Sequence, residues 1–225
     1  MATSTLPRRL WILPILLLIG ALVAWQQPFT LNDLMAWGQV WASEPWVVAA
    51  AVVLMAVLFA LGLPGSMGIW FLAPFHAPWL TTVLMVVASV VGAVAAYHLA
   101  DRLRGRWHQS SHQKSWAGQV INLLARESGV PTQTALRILP GFPHAVVNFA
   151  GGVLRLPWTG FLFSAVVGLT IKWGIYAWAI YGVADALISG EALSATAVWP
   201  LLVLSVLLLA GVWARQRVSK RHSVP

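Results

Sequence analysis

Long apolar blocks separated by short polar segments are the dominant pattern along this chain. Five blocks stand out, at residues 10–25, 46–75, 78–100, 156–186 and 195–214. A helix needs roughly 20 apolar residues to cross a bilayer, because each residue adds only about 1.5 Å of length. The pattern therefore predicts an all-α membrane protein that crosses the bilayer several times, with block 10–25 retained as the first span.

Two apolar regions are interrupted by residues that end helices. The first contains the sequence Leu-Pro-Gly-Ser at 63–66. The second, at 135–157, is broken by Pro140, Gly141, Pro143, Gly151 and Gly152. A broken backbone is tolerated inside a membrane only where protein or a water-filled cavity covers it. Each region therefore either crosses the membrane as a kinked span or turns back as a re-entrant hairpin.

The distribution of Lys and Arg favours hairpins. Basic residues precede the first block, recur between positions 102 and 126, and follow residue 214. Because cytoplasmic loops carry the excess of Lys and Arg, these three groups should share one side of the membrane. They do so only if both interrupted regions are re-entrant and enter from opposite faces. The sequence thus predicts four transmembrane helices plus two oppositely oriented re-entrant helical hairpins, with both termini in the cytoplasm.

This topology defines three predicted regions. Residues 1–44 form an N-terminal span and outside loop, residues 45–186 form the main membrane domain, and residues 187–225 form the last span and a basic tail. The membrane domain should contain, in order, a hairpin at 46–76, a span at 78–100, a cytoplasmic loop at 101–131, a second hairpin at 132–157 and a span at 158–186.

The cytoplasmic loop contains a predicted amphipathic helix. Val120, Leu123 and Leu124 fall on one helical face, with Gln119 and Arg126 elsewhere. This pattern is typical of a helix lying on a membrane surface. A plain helical connector is the alternative.

The two hairpins, each followed by a full span, predict an inverted repeat. The sequence Leu-Pro-Gly occurs at 63–65 and again at 139–141. The spans that follow carry small residues at four-residue spacing, a pattern that lets helix backbones approach closely. These residues are Ala88, Gly92 and Ala96 in one span and Gly160, Ser164 and Gly168 in the other. Chance is the alternative, since Gly and Ala are common in this chain.

Composition narrows the function further. The chain is 59% hydrophobic and 9% charged, has a formal net charge of +8 and contains no cysteine. The charges lie at the edges of apolar blocks, so we expect anionic lipid headgroups as partners and no nucleic acid. No catalytic, phosphate-loop or metal-ligand motif occurs, which predicts a protein that is not an enzyme and needs no cofactor or metal. Homo-oligomerisation is left open.

Two cations are hard to explain by topology alone. Arg137 enters the second hairpin, and Lys172 lies near the middle of a span. A central Lys or Arg costs about 2.5–3.5 kcal/mol on insertion scales. The acidic residues lie outside the cores of the apolar blocks, so none is expected to pair with it. We therefore expect an anionic ligand such as a lipid phosphate. The alternative is that Lys172 snorkels or binds backbone carbonyls freed by the hairpin turns.

The predicted site follows from these positions. His144 and Asn148 lie on one helical face and are expected to bind the headgroup, so the predicted lipid-binding residues are Arg137, Pro140, His144, Asn148 and Lys172. The predicted turn residues of the two hairpins are Pro64, Gly65, Ser66, Gly141, Pro143 and Gly151.

The second interrupted region resembles a known signature. Residues 136–152, LRILPGFPHAVVNFAGG, are similar to the pattern Arg-x-x-Pro-x-x-Pro-x-x-x-x-Asn-x-x-x-Gly of the DedA-like superfamily, the VTT-domain or SNARE-associated Golgi protein family, and lie closer to its Golgi/vacuolar branch. The resemblance extends over about 45–185. It implies two re-entrant hairpins and the movement of lipids between leaflets. Ser66 and Pro143 depart from the DedA branch, which tends to have Glu and Arg there, and these departures weaken a proton-coupled mechanism.

The leading hypothesis from sequence is thus a flippase or scramblase of phospholipid or lipid phosphate in a bacterial inner membrane, an assignment that the short, Ala- and Trp-rich chain favours over an organelle. A membrane scaffold that transports nothing, in which Arg137 and Pro140 brace the hairpin, is the second hypothesis. A small-solute transporter is the third.

Overall fold

The computed structural model describes residues 30–103, 116–140, 142, 144–190 and 192–220. Within these ranges the regular elements are all helical and none is a strand. Three helical stretches are long and apolar enough to cross a membrane, namely Pro78–Leu103, Trp158–Ser189 and Ala197–Ala214, and a fourth is added if the helices on either side of Glu44 form one broken span. The predicted multi-pass helical architecture is confirmed for this part of the chain, whereas the predicted first span at 10–25 lies outside it.

The described helices run in the order α1 (Leu31–Ser43), α2 (Pro45–Ala60), a 3-10 turn (Gly65–Gly68), α3 (Ile69–Leu72), α4 (Pro78–Leu103), α5 (Trp116–Arg126), α6 (Val130–Ile138), α7 (His144–Val153), α8 (Trp158–Ser189) and α9 (Ala195–Lys220). The described residues divide into two compact units, one up to residue 40 and one from residue 41 onward.

In the first unit, helix α1 begins at a reciprocal cap. The backbone N–H of Asp33 donates to the Thr30 hydroxyl at 3.2 Å, and the Thr30 backbone N–H donates to the Asp33 carboxylate at 3.1 Å. Two backbone donors at the helix start are thereby satisfied, as in a capping box.

The second unit contains the first helix break, residues 61–64 between α2 and the 3-10 turn. Helix α2 begins with Pro45 in its first turn, where a missing N–H costs nothing. It ends in a Schellman motif, because Gly62 has a φ of 76° and the Leu63 N–H donates to the Leu58 carbonyl at 2.8 Å. The helix therefore ends before Pro64 and Gly65, which were predicted as the turn, because Gly62 supplies the left-handed residue that a helix end needs.

The second helix break comprises residues 139–143 between α6 and α7. Leu139 is extended, with φ −66° and ψ 126°, because the following Pro140 excludes its helical conformation. Helix α7 then begins at His144. Gly141 and Pro143, two predicted turn residues, lie outside the described residues. The predicted hairpins and inverted repeat remain predictions, although a helix break occurs at each predicted place.

The two long helices α4 and α8 pack against each other and carry the other elements. Helix α2 packs on α4, α6 packs on α8, and α7 crosses to pack on α4. A glycine permits close approach in the α2–α4 contact and in the α6–α8 contact. A Cβ added at Gly92 of α4 would collide with Phe59 of α2, and one added at Gly168 of α8 would lie 2.9 Å from the Arg137 Cβ of α6. Both glycines follow the leucine of their Leu-Pro-Gly sequence by 29 residues.

The amphipathic helix α5 is present where the sequence predicts it, but protein covers its apolar face. Val120 and Leu124 are fully buried in a cluster with Leu136, Phe142 and Val147. The apolar face of α5 was expected to lie on a membrane surface. In the structure it packs against the protein at the second helix break. An apolar face at helical spacing fits a protein groove as well as it fits lipid, so the sequence alone did not distinguish them.

We expect Leu124→Ala to loosen α5 specifically. Removing this buried side chain should cost about 2 kcal/mol, the lower end of the range for core leucines. Hydrogen exchange should accelerate in residues 116–126 and change little in α4. Unchanged exchange in α5 would show that the helix is held by something other than this apolar face.

Candidate functional site

A cavity of about 510 Å³ lies between the two helix breaks. The first break and the 3-10 turn contribute one wall, and the second break together with helix α8 contributes the other. The lining is aromatic and apolar apart from a few polar side chains, of which Ser66, His144, Lys172 and Tyr176 are the ones used below. Mostly apolar walls with a few placed polar groups are typical of small-molecule and cofactor sites.

The two breaks contact each other directly beside this cavity. A Cβ added at Gly62 would lie 3.1 Å from the Phe149 ring and 3.3 Å from the Ala145 Cβ, both on α7. Gly62 therefore has two roles. Its positive φ ends α2, and its lack of a side chain lets α7 pack closely against it. The segments predicted to form two separate hairpins thus meet in space.

The polar centre of the cavity is a pair of basic side chains. The Lys172 Nζ lies 2.9 Å from the His144 Nε2, and only 8% of Lys172 is exposed. The same ammonium lies 5.6 Å from the Trp173 ring centroid and 5.9 Å from that of Tyr176. Aromatic faces attract a desolvated cation, so this environment favours a charged Lys172 head group at this position.

Aromatic packing fixes the His144 ring. It meets the Phe59 ring edge-on at a centroid distance of 6.1 Å and the Trp173 ring at 5.8 Å. Trp173 is itself anchored, since its indole N–H donates to the Ser89 hydroxyl of α4 at 3.0 Å and only 1% of the residue is exposed. The position of the Lys172–His144 pair is therefore set by both long helices.

Arg137 occupies a separate, buried polar network. Only 1% of it is exposed; its guanidinium donates to the Ser164 hydroxyl at 3.2 Å and to the Asn148 side-chain oxygen at 3.4 Å. It also lies over the Phe161 ring at 4.7 Å, and Ser164 in turn donates to Gln133 at 3.3 Å. Among the described residues, the Nε–H of Arg137 has no hydrogen-bond partner. Arg137 is not among the residues that line the cavity. Its contacts with Asn148, Phe161 and Ser164 connect α6 with α7 and α8.

The structure thus divides the predicted site residues between two places. Pro64, Ser66, His144 and Lys172 line the cavity, whereas Arg137 and Asn148 form the buried network behind α7. His144 and Asn148 are one turn apart on α7, as predicted, but each contacts a different cation.

The other predicted residues that the structure describes make close packing contacts. A Cβ at Gly65 would lie 2.9 Å from the Met55 carbonyl, and one at Gly151 would lie 2.6 Å from the Phe161 ring. Pro140 is buried, and its carbonyl oxygen lies against Gly211 of α9 so closely that a side chain there would collide with it. The predicted turn prolines and glycines therefore allow close contact as well as bending.

Some site residues were not predicted. Tyr176 lies four residues after Lys172 and Gln133 four residues before Arg137, so helical spacing from each cation could have identified them. Helical spacing from a cation does not identify Phe59, Phe142 or Trp173. An apolar residue in a membrane protein can face lipid or protein equally well. No group of three or more metal-ligating side chains occurs in the described ranges.

An ion pair joins the exit of α7 to the end of α4. The Arg155 Nε donates to the Asp101 carboxylate at 2.8 Å, and this bond raises the pKa of the Arg155 guanidinium above its usual value. Nearby, the Tyr97 hydroxyl donates to the Leu156 carbonyl at 2.9 Å. Arg155 adopts a φ of 51°, a left-handed conformation that is uncommon for residues other than glycine. These contacts fix the turn that leads into α8.

Comparison with known proteins gives one match. A family model of the VTT domain matches residues 34–182. Comparisons with curated proteins and with solved structures found no match. The matched range contains both helix breaks, the long helices α4 and most of α8, and the Lys172–His144 pair. The resemblance noted in the sequence is confirmed at this level, and the chain belongs to the VTT-domain family, the DedA/SNARE-associated group of membrane proteins.

Proposed function

We propose that this protein moves lipids between leaflets by holding the phosphate of the headgroup at the Lys172–His144 pair. The observation that carries the proposal is the placement of a buried cation in the cavity between the two helix breaks. A cation with no acidic partner in a low-dielectric site favours an anion strongly. Lipid phosphate is the anion that a bilayer supplies in abundance, at the headgroup regions that flank its hydrocarbon core.

The charges around the cavity support this choice. One wall of the cavity is formed by α2 and residues 61–72. These segments contain no acidic residue and no Lys, Arg or His. Lys172 contacts only His144 and aromatic rings in the part of the chain that is described. A phosphate oxygen would thus be the first negatively charged partner of this ammonium group.

The residues that line the cavity suggest a path for the lipid headgroup. In this proposal the headgroup enters beside the first break, where Trp70 and Met67 line the cavity and are well exposed. The phosphate binds Lys172 and His144, while the acyl chains remain in the surrounding bilayer. Arg137 holds α6, α7 and α8 together behind the site, so we assign it a positioning role and not direct contact with the phosphate.

We further propose that the two breaks are the turns of re-entrant hairpins related by an inverted repeat. Supporting this, the first helix before each break packs on the long helix that follows the break, α2 on α4 and α6 on α8, and α7 also packs on α4. Gly92 and Gly168 occupy corresponding positions in these contacts. The placement of both termini in the cytoplasm, the bacterial inner membrane and the Golgi/vacuolar branch rest on the sequence arguments alone.

Reconstitution tests the function directly. Wild-type protein in sealed vesicles should expose fluorescent phosphatidylglycerol from the inner leaflet to an outside quencher, whereas vesicles without protein should protect about half of the label. If purified, folded protein leaves the inner-leaflet label protected but still restores the phenotype of a deletion strain, the scaffold hypothesis replaces this one. Uptake of a water-soluble solute without lipid movement would favour the transporter hypothesis.

A further inference from the structure

We propose that helix α9 acts as a strap, which docks on the second helix break, closes the cavity on that side and limits the rate of lipid movement. The inference rests on the proposed function, because a rate can be limited only if lipid passes through the cavity. It concerns an element outside the matched VTT range, since that range ends at residue 182 and α9 spans Ala195–Lys220.

The strap meets the second break through backbone atoms. A Cβ added at Gly211 of α9 would collide with the carbonyl oxygen of Pro140 and would lie 3.4 Å from its carbonyl carbon. One turn later, Ala214 packs against the apolar cluster that contains Phe142 of the break and Leu124 of α5. Pro140 is not among the residues that line the cavity, so α9 contacts the break outside the cavity.

Phe142 connects this contact to the cavity. It lines the cavity, yet only 3% of it is exposed. Beside the first break, the lining residues Met67 and Trp70 are 67% and 63% exposed. The cavity is therefore open beside the first break and covered beside the second. Because packed interiors leave few voids, an outward movement of the second break requires α9 to leave its docked position.

The sequence of α9 allows its C-terminal half to leave while its N-terminal end stays in place. Pro200 lies inside the helix and has no backbone N–H, so it removes one helical hydrogen bond about three turns before Gly211. The N-terminal end is held by a separate contact, because a Cβ added at Gly182 of α8 would collide with Ala197 of α9. The helix is thus held at two places with a weak point between them.

Lipid gives the C-terminal half of α9 room to swing. The side chains opposite Gly211 are at least 62% exposed, namely Leu202, Val206 and Leu209. Lipid tails are as apolar as these side chains, so a swing exchanges one lipid contact for another. Hinge movement about a few residues is a common way to switch between two arrangements. The docked arrangement is the one observed, and the undocked one leaves the second break free to open.

The vesicle quenching assay tests the strap with two glycine variants, one at each contact of α9. Gly211→Ala should weaken docking and raise the initial rate of lipid movement about three- to tenfold, because only the undocked fraction passes lipid. A tenfold change in this equilibrium corresponds to about 1.4 kcal/mol. Gly182→Ala loosens α9 on the other side of Pro200 and should leave the rate as in wild type. Pro200→Ala restores the missing N–H and stiffens the helix, so it should lower the rate by a similar factor.

A Gly211→Ala protein that is folded, as shown by a cooperative thermal transition, but moves lipid no faster than wild type would overturn the strap. An equal increase in Gly182→Ala would also overturn it. If Gly211→Ala does not fold, Pro200→Ala decides, and a rate equal to or above that of wild type is the contradicting result.

Hydrogen exchange gives a readout that does not depend on transport. Exchange in α7, which follows the second break, should accelerate in Gly211→Ala and stay as in wild type in Gly182→Ala. Unchanged exchange in Gly211→Ala would show that α9 does not hold the break. The expected exchange pattern, in a protein whose wild type moves no lipid in vesicles, would remove the proposed function and leave α9 as a strap on the second break.

Discussion

Lys172→Gln should lower the rate of lipid movement by about ten- to a hundredfold while the protein stays folded. The ammonium is the buried cation that lines the cavity, and a charge-assisted hydrogen bond to phosphate is worth about 1.5–3 kcal/mol. Gln preserves the length and polarity of the side chain but removes the charge. Folding should not suffer, because the buried charge is itself costly to desolvate. The initial rate in the vesicle quenching assay measures the effect.

The matched control is Arg126→Gln. It removes one positive charge from α5, where the side chain is exposed. Its rate should equal that of wild type, which separates the local role of Lys172 from the effect of net charge. Equal rates for Lys172→Gln and wild type would show that this ammonium does not hold the headgroup.

Gly152→Ala should destabilise the folded protein by about 3 kcal/mol, the upper end of the usual cost of overpacking. Gly152 lies on α7 where it crosses α4, and an added Cβ would collide with the carbonyl oxygen of Tyr97 and lie 3.0 Å from the backbone nitrogen of Asp101. These are backbone atoms of a long helix and cannot rotate away. Thermal unfolding in detergent should show the loss as a lower midpoint.

Gly174→Ala on α8 provides the control. An added Cβ there would lie 4.0 Å from the nearest side-chain atoms of Thr82, an ordinary contact distance. This substitution should leave stability unchanged or raise it by up to about 1 kcal/mol, because alanine favours helix more than glycine does. Equal midpoints for the two variants would contradict the close crossing of α7 over α4.

The sequence predicted the larger features because they depend on patterns that repeat along the chain. Apolar blocks gave the long helices α4, α8 and α9, and the Pro-Gly sequences placed both helix breaks within a few residues. The sequence predicted a turn at Pro64 and Gly65, and α2 ends before them because Gly62 supplies the left-handed residue. Local sequence offered several breakers in a row, and only tertiary contact with Ala145 and Phe149 distinguishes among them.

The candidate site was predicted as a set of residues but not as an arrangement. Arg137 and Lys172 were recognised because a charge in an apolar segment is costly. Sequence spacing could not reveal that one would line a cavity and the other would bond Ser164 and Asn148. Arg137 lies just before the second break and Lys172 lies within α8, and their separation depends on how α6 and α8 pack around Gly168. The aromatic residues around His144 were not predictable for the same reason.

The most direct test of the central claim asks whether a lipid phosphate reaches the cavity. Because the chain contains no cysteine, Ser66→Cys can be labelled uniquely with a thiol-linked photocrosslinker at the cavity wall, and Val206→Cys, exposed on α9, serves as the control. In vesicles containing phosphatidylglycerol, we predict a lipid adduct at position 66 that is lost when Lys172→Gln is added, while the adduct at position 206 is unchanged. An adduct at position 66 that survives Lys172→Gln, or no adduct there at all, would contradict the account.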